Sequence, residues 1–205
     1  MAGSPEPAAM PGADALPVVE ELPDPFLMRD GARAATPEQW ERRREEIIAM
    51  LAYYEYGHMP PAPDNQRVEE TSAAPALDGT ATLQRATLSM GPGQAVKMRV
   101  GLYIPREGAG PFPVILTTES VCTDAMEDAA RALVRRGYIF AGYERHDLDP
   151  DDADRSNGVH PLYPDYDWAT LAVWAWGAHR MTDYLCGLEC VDAAHVALTG
   201  HSRGG

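Results

Sequence analysis

Val196-Ala197-Leu198-Thr199-Gly200-His201-Ser202-Arg203-Gly204-Gly205 is a short apolar run rich in β formers that passes straight into Gly-x-Ser-x-Gly. The run predicts a buried strand, and a strand directly before this pentapeptide is the context that gives the pattern chemical meaning. A serine hydroxyl is a poor nucleophile alone, so a sharp turn has to present Ser202 where a histidine can take its proton. Such a turn brings strand and following chain close together, which only small residues at Gly200 and Gly204 accommodate. The backbone N–H of Arg203 then faces the developing oxyanion, and its guanidinium offers a local cation. The bland alternative is a glycine-rich strand end carrying an idle serine.

Upstream, the pattern alternates between strands and helices. Residues 81–104 read as an antiparallel hairpin, ATLQRATLSM and AVKMRVGLYI about the turn Gly91-Pro92-Gly93, with Val96, Met98, Val100, Leu102 and Ile104 on one face. PFPVILTT, a helix around Asp124 to Arg136, and YIFAGY suggest a βαβ unit. A polar stretch from Glu144 to Asp165 precedes the apolar helix DWATLAVWAWGAHRMTDYLCG. Earlier still, Thr36, Pro37 and Gln39 open a helix with a capping box. Trp40, Ile47, Leu51 and Tyr54 form its inward stripe, Glu41 to Glu46 stay wet, and Gly57 ends it. The expected fold class is α/β, an incomplete α/β-hydrolase-like three-layer sandwich. Its mixed sheet begins with an N-terminal antiparallel hairpin and continues with parallel strands. Ligands of such sheets collect at the carboxyl ends of the strands. The loops after Thr118, Tyr143 and Thr199 all emerge on that edge.

Composition narrows the function classes. The 205 residues carry 31 acidic against 17 basic side chains, a formal charge of −14, which repels phosphate backbones and anionic lipid surfaces. Nucleic acid and membrane are not expected partners, and no run approaches the length of a membrane span. The first 25 residues contain six prolines and no basic segment followed by an apolar one, so no signal peptide is visible and the compartment stays open. Residues 1–25 read as a flexible leader and 26–205 as the N-terminal part of one hydrolase domain.

Other candidate groups have plainer readings. Cys122, Cys186 and Cys190 lack metal-ligand spacing and read as structural thiols. Asp147, Asp149 and Asp151 imitate the start of a calcium loop, but the sixth position is Asp152 and the twelfth Gly158, so a solvated acidic loop is expected and no metal or other cofactor. Tyr53, Tyr54 and Tyr56 read as core packing at a helix end rather than a sugar platform. Trp168 could face sugar, whereas Trp174 and Trp176 are expected between helix and sheet. In this architecture the order is serine, acid, histidine, so both partners of Ser202 are expected after it, where only three residues stand.

LPDPFLMRDG, TPEQWERRREEIIAMLAYYEYGHMP, HPLYPDYDWATLAVWAWGAHRMTDYL and VALTGHSRGG together resemble the glucuronoyl esterases (4-O-methyl-glucuronoyl methylesterases), particularly the bacterial type, over roughly residues 22–205. The resemblance implies an α/β-hydrolase fold and metal-free Ser-His-acid hydrolysis of the ester joining xylan glucuronate to lignin alcohols. By position, it implies Ser202 as the nucleophile and Arg203 as the arginine that helps stabilise the oxyanion. Three departures stand out: the family motif continues with a lysine where this chain ends, the loop TTESVC lacks the glycine-containing pattern of relatives, and secreted relatives carry signal peptides where none is visible here. The expectation is a serine esterase represented by an N-terminal piece, inactive and poorly soluble alone. The alternatives are another carbohydrate esterase, such as a xylan deacetylase, or a non-catalytic remnant of the fold.

Overall fold

A computed structural model describes residues 10–205, so part of the expected leader, residues 1–9, lies outside the described residues. The described residues form two compact units, residues 10–58 and 59–205.

In the first unit, helix α1 (Pro37–Leu51) begins at the expected capping box: Gln39 N–H donates to Thr36 Oγ1, and the Gln39 side chain accepts from the Thr36 N–H. One π-type turn, Ala52–Tyr56, extends it before Gly57 stops it at φ 70°. The inward stripe differs from expectation. Arg43, inside the stretch expected to be wet, is the helix's buried residue, because it stands one turn from Trp40 and from Ile47. Its charge is met by Glu46 at 2.9 Å and by the Pro25 carbonyl at 3.0 Å. Tyr53 and Tyr56 are exposed rather than core side chains.

The second unit is an open six-stranded sheet in the order β1-β2-β3-β5-β4-β6. Strands β1 (Arg67–Ala76), β2 (Ala81–Met90) and β3 (Val96–Pro105) are antiparallel neighbours, β3 pairs antiparallel with β5 (Ile139–Tyr143), and β4 (Phe112–Thr117) pairs parallel with β5 and β6 (Val191–Thr199). The expected hairpin is β2-β3. β1 was not foreseen, because RVEETSAAPA carries charges, a proline and no apolar alternation; all but its last residue are exposed, as suits an edge strand.

Side-chain alternation divides the core into two layers. Met98, Val100, Leu102, Leu116, Ile139, Ala141 and Tyr143 pack on one face with Trp174, Trp176, Met181 and Leu185 of helix α3 (Thr170–Cys186). Leu83, Tyr103 and Phe140 face the other way, towards Ala130 and Val134 of helix α2 (Glu127–Val134). Helices thus cover opposite faces of a mixed sheet, the arrangement of an incomplete α/β-hydrolase sandwich. Trp174 and Trp176 lie between helix and sheet as expected. Trp168 is buried as well, edge-on to Trp176 at 5.8 Å, and offers no exposed ring to a sugar.

Candidate active site

The loops after β4, β5 and β6 meet at the carboxyl edge of the sheet. His201 is still extended (φ −125°, ψ 138°), and Ser202 turns into the left-handed region at φ 54°, opening a single 3-10 turn, Ser202–Gly204. A non-glycine residue held there costs about 1–3 kcal/mol and persists only where its surroundings dictate it. Those surroundings are tight. A Cβ on Gly200 would stand 2.0 Å from the Gly204 carbonyl oxygen, and one on Gly204 would stand 2.5 Å from Arg145 Nη1 and 2.6 Å from Thr118 Oγ1. Gly200 therefore permits a close backbone approach that a side chain would block, while a side chain on Gly204 would have to displace the tips of Arg145 and Thr118. Ser202 itself is exposed.

Neighbouring loops brace the turn. Thr118 Oγ1 donates to the Gly204 carbonyl at 2.6 Å. Arg145, two residues past the end of β5, pairs with Glu119 and lays its guanidinium 4.4 Å from the centre of the Trp174 ring, so a largely buried cation is met by a carboxylate and a π face. From the sequence, the Thr118–Cys122 loop is a candidate source of a second oxyanion donor, but neither the bond of Thr118 to Gly204 nor any role for Arg145 could be read there. At Gly142 in β5 a Cβ would come within 2.1 Å of the Glu119 carbonyl oxygen, so this glycine lets the TTESVC loop pack closely on the strand.

Arg203 reaches out of the turn to Asp151, with which it forms an ion pair. The alternating aspartates diverge instead of gathering round a metal. Asp147 grips Arg99 through both carboxylate oxygens and accepts from its backbone N–H at 2.9 Å, while buried Asp149 faces His160 Nε2 at 3.3 Å. Among the described residues no group of three or more His, Cys, Asp or Glu is arranged to hold a metal ion, and the three cysteines are free thiols. Burial pushes the Tyr143 phenol far above its ordinary range, so it stays neutral and serves as a donor to the Trp174 carbonyl.

No histidine among the described residues hydrogen-bonds Ser202. His146 Nδ1 lies 3.1 Å from Glu144, and His195 Nδ1 lies 2.7 Å from Asp192, far from the turn along β6. A groove of about 750 Å³ opens nearby, lined by Arg85, Arg99, Ser120, Cys122 and Glu144 among others, but Ser202 is not part of its wall. No helix of the described residues is long and apolar enough to cross a membrane.

A mixed sheet with helices on both faces, and a serine on a left-handed turn between two glycines at the end of a parallel strand, define the α/β-hydrolase class. Residues 89–205 match the family model described as "Glucuronyl esterase, fungi". The chain belongs to the glucuronoyl esterase family. The structure of a glucuronoyl esterase from Solibacter usitatus is similar at 28% identity and a TM-score of 0.75, covering 93% of this chain and 59% of that one. A carbohydrate esterase from an unknown prokaryotic organism is 26% identical over 89% of this chain and 53% of its own length. A 4-O-methyl-glucuronoyl methylesterase of Thermothelomyces thermophilus is 28% identical over 90% of this chain and 44% of its own. Prokaryotic and fungal relatives thus match about equally well, and membership holds for the family as a whole rather than for its bacterial branch. The chain spans about half the length of the curated relatives it matches.

Proposed function

We propose that the protein is a serine carboxylic ester hydrolase acting on glucuronoyl esters of the kind that join xylan to lignin, with residues 26–205 contributing the nucleophile half of its catalytic domain. The observation that carries this reading is Ser202 at φ 54° on the turn that closes β6. In the reaction, Ser202 Oγ attacks the ester carbonyl as its proton passes to a histidine, and a tetrahedral oxyanion forms. The Arg203 N–H and guanidinium stabilise that charge. The alcohol then leaves with the transferred proton, and water releases the glucuronate from the acyl-enzyme. The histidine and the acid that orients it are assigned to sequence beyond Gly205 in a longer polypeptide.

The substrate assignment draws on the relative that acts as a 4-O-methyl-glucuronoyl methylesterase. The relative named only as a carbohydrate esterase supports a second reading, in which acetylated sugars such as acetyl xylan are hydrolysed instead. Rates of the full-length enzyme on a methyl glucuronate ester and on acetylated xylan separate the two. Ser202→Ala is expected to abolish turnover on the preferred ester without unfolding the protein. Full activity in that variant would refute the nucleophile assignment, and an inactive unmutated enzyme on both esters would favour a non-catalytic remnant.

A further inference from the structure

We propose that Asp151 is a positioning residue, holding the guanidinium of Arg203, the residue after Ser202, in place before substrate arrives; the inference rests on the esterase reading above. Arg203 is an exposed, many-rotamer side chain, and a guanidinium left free would have to be ordered during the reaction. Its ion pair runs from Nη2 to one oxygen of Asp151, which leaves the remaining N–H donors of the planar fork available to an oxyanion.

The loop that presents Asp151 is fixed on both sides. Before it, Asp147 is held by Arg99 of β3, and the Asp149 carbonyl accepts from Trp174 Nε1 of α3 at 3.0 Å. The Asp149 carboxylate is sealed against His160 beneath the loop. After it, the Asp152 carbonyl accepts from Thr170 Oγ1 at 2.9 Å, and the Asp152 carboxylate is touched by Asn157 Nδ2 at 3.3 Å. Asp151 therefore sits on a short span between anchors in the sheet and in α3, while its own side chain remains half-exposed and takes no part in the core. A carboxylate so held is a fixed reference point for a mobile guanidinium. It also moderates the positive charge, so that its benefit is orientation rather than field strength.

A double-mutant cycle in the full-length enzyme on a methyl glucuronate ester tests this. Asp151→Asn is expected to lower kcat about tenfold with KM unchanged within about twofold, since only transition-state contact is lost. Asp151→Glu is expected to recover part of that loss, and Arg203→Ala to lower kcat about 100-fold. The double variant, Asp151→Asn with Arg203→Ala, is expected to be no slower than Arg203→Ala alone, because Asp151 acts only through that side chain. Wild-type kcat in Asp151→Asn, or losses that multiply in the double variant, would overturn the proposal. A general weakening of the fold would also show itself as multiplying losses. Ser202→Ala run alongside keeps the two readings apart. Activity there overturns the assignment of Ser202 as nucleophile on which the proposal rests, whereas an inactive Ser202→Ala with multiplying losses overturns only the role of Asp151.

Discussion

Gly200 and Gly204 occupy equivalent places in the pentapeptide, yet what crowds them differs in kind. A methyl group on Gly200 meets backbone, the Gly204 carbonyl oxygen at 2.0 Å and its carbon at 2.5 Å, so the turn itself has to open. On Gly204 it meets the tips of Arg145 and Thr118, which can swing aside. Gly200→Ala is therefore expected to cost about 2–3 kcal/mol and Gly204→Ala about 1 kcal/mol, read from urea denaturation midpoints. The reverse order would mean that the turn is closed by side chains rather than by backbone approach. Thr118→Val removes the hydroxyl that binds the Gly204 carbonyl and is expected to cost about 1 kcal/mol in the same assay. The serine and its glycines were legible in the sequence because their constraint is local. Thr118, Arg145 and Asp151 were not singled out for these tasks, because what gives them meaning is distant chain brought together by sheet order.

Residues 144–168 illustrate how an irregular element is held. Arg155 gathers the carbonyls of Tyr166, Asp167 and Trp168, and Gly158 bends at φ 56° where a Cβ would stand 2.2 Å from Asp149 Oδ1 and 2.7 Å from the Leu148 carbonyl oxygen. Arg155→Ala is expected to cost about 1–2 kcal/mol and to speed limited proteolysis within this loop, while α3 and the sheet stay protected. Cleavage elsewhere at an unchanged rate in the loop would count against the clasp. Composition marked the stretch as polar and proline-containing, which was true but incomplete: Leu148, Asp149, Val159 and His160 inside it are buried. The regular elements were more legible. The β2-β3 hairpin, the strand-helix-strand unit around α2, and α3 follow their apolar periods, and α1 is legible from its capping box, whereas β1 has no such period because it is an edge strand whose side chains are mostly exposed. Arg43 was misread for a related reason, since periodicity ranks residues by hydropathy and a guanidinium satisfied by Glu46 and a carbonyl can occupy an inward place.

Across the whole molecule, an acidic balance of −14 makes the response to pH one-sided. Lys97 holds the Glu69 carboxyl below its usual 4.5, and His195 holds Asp192 below its usual 3.8. A carboxylate whose folded pKa is lowered stabilises the fold above its unfolded pKa, and the contribution is lost as pH falls through the folded value. Thermal stability is therefore expected to hold from neutrality down to about pH 5 and to decline below about pH 4.5, gently, since both groups are solvent-screened. The two sheet edges pose a separate problem. β1 carries Arg67, Glu69, Glu70 and Pro75, residues that discourage another strand from pairing. β6 has the composition of an interior parallel strand, yet stands at the margin of the sheet with Ala197 and Leu198 exposed, Leu198 at 59%. A polypeptide of these 205 residues presents unpaired N–H and C=O groups along an apolar ridge, which is a template for strand addition. Size-exclusion chromatography of that polypeptide is expected to show association that grows with concentration, and Leu198→Lys is expected to shift it towards monomer. If the unmutated polypeptide runs as a monomer at every concentration, the β6 edge is not the adhesive surface its composition implies. If it associates and Leu198→Lys leaves the association unchanged, the contact lies elsewhere on the molecule.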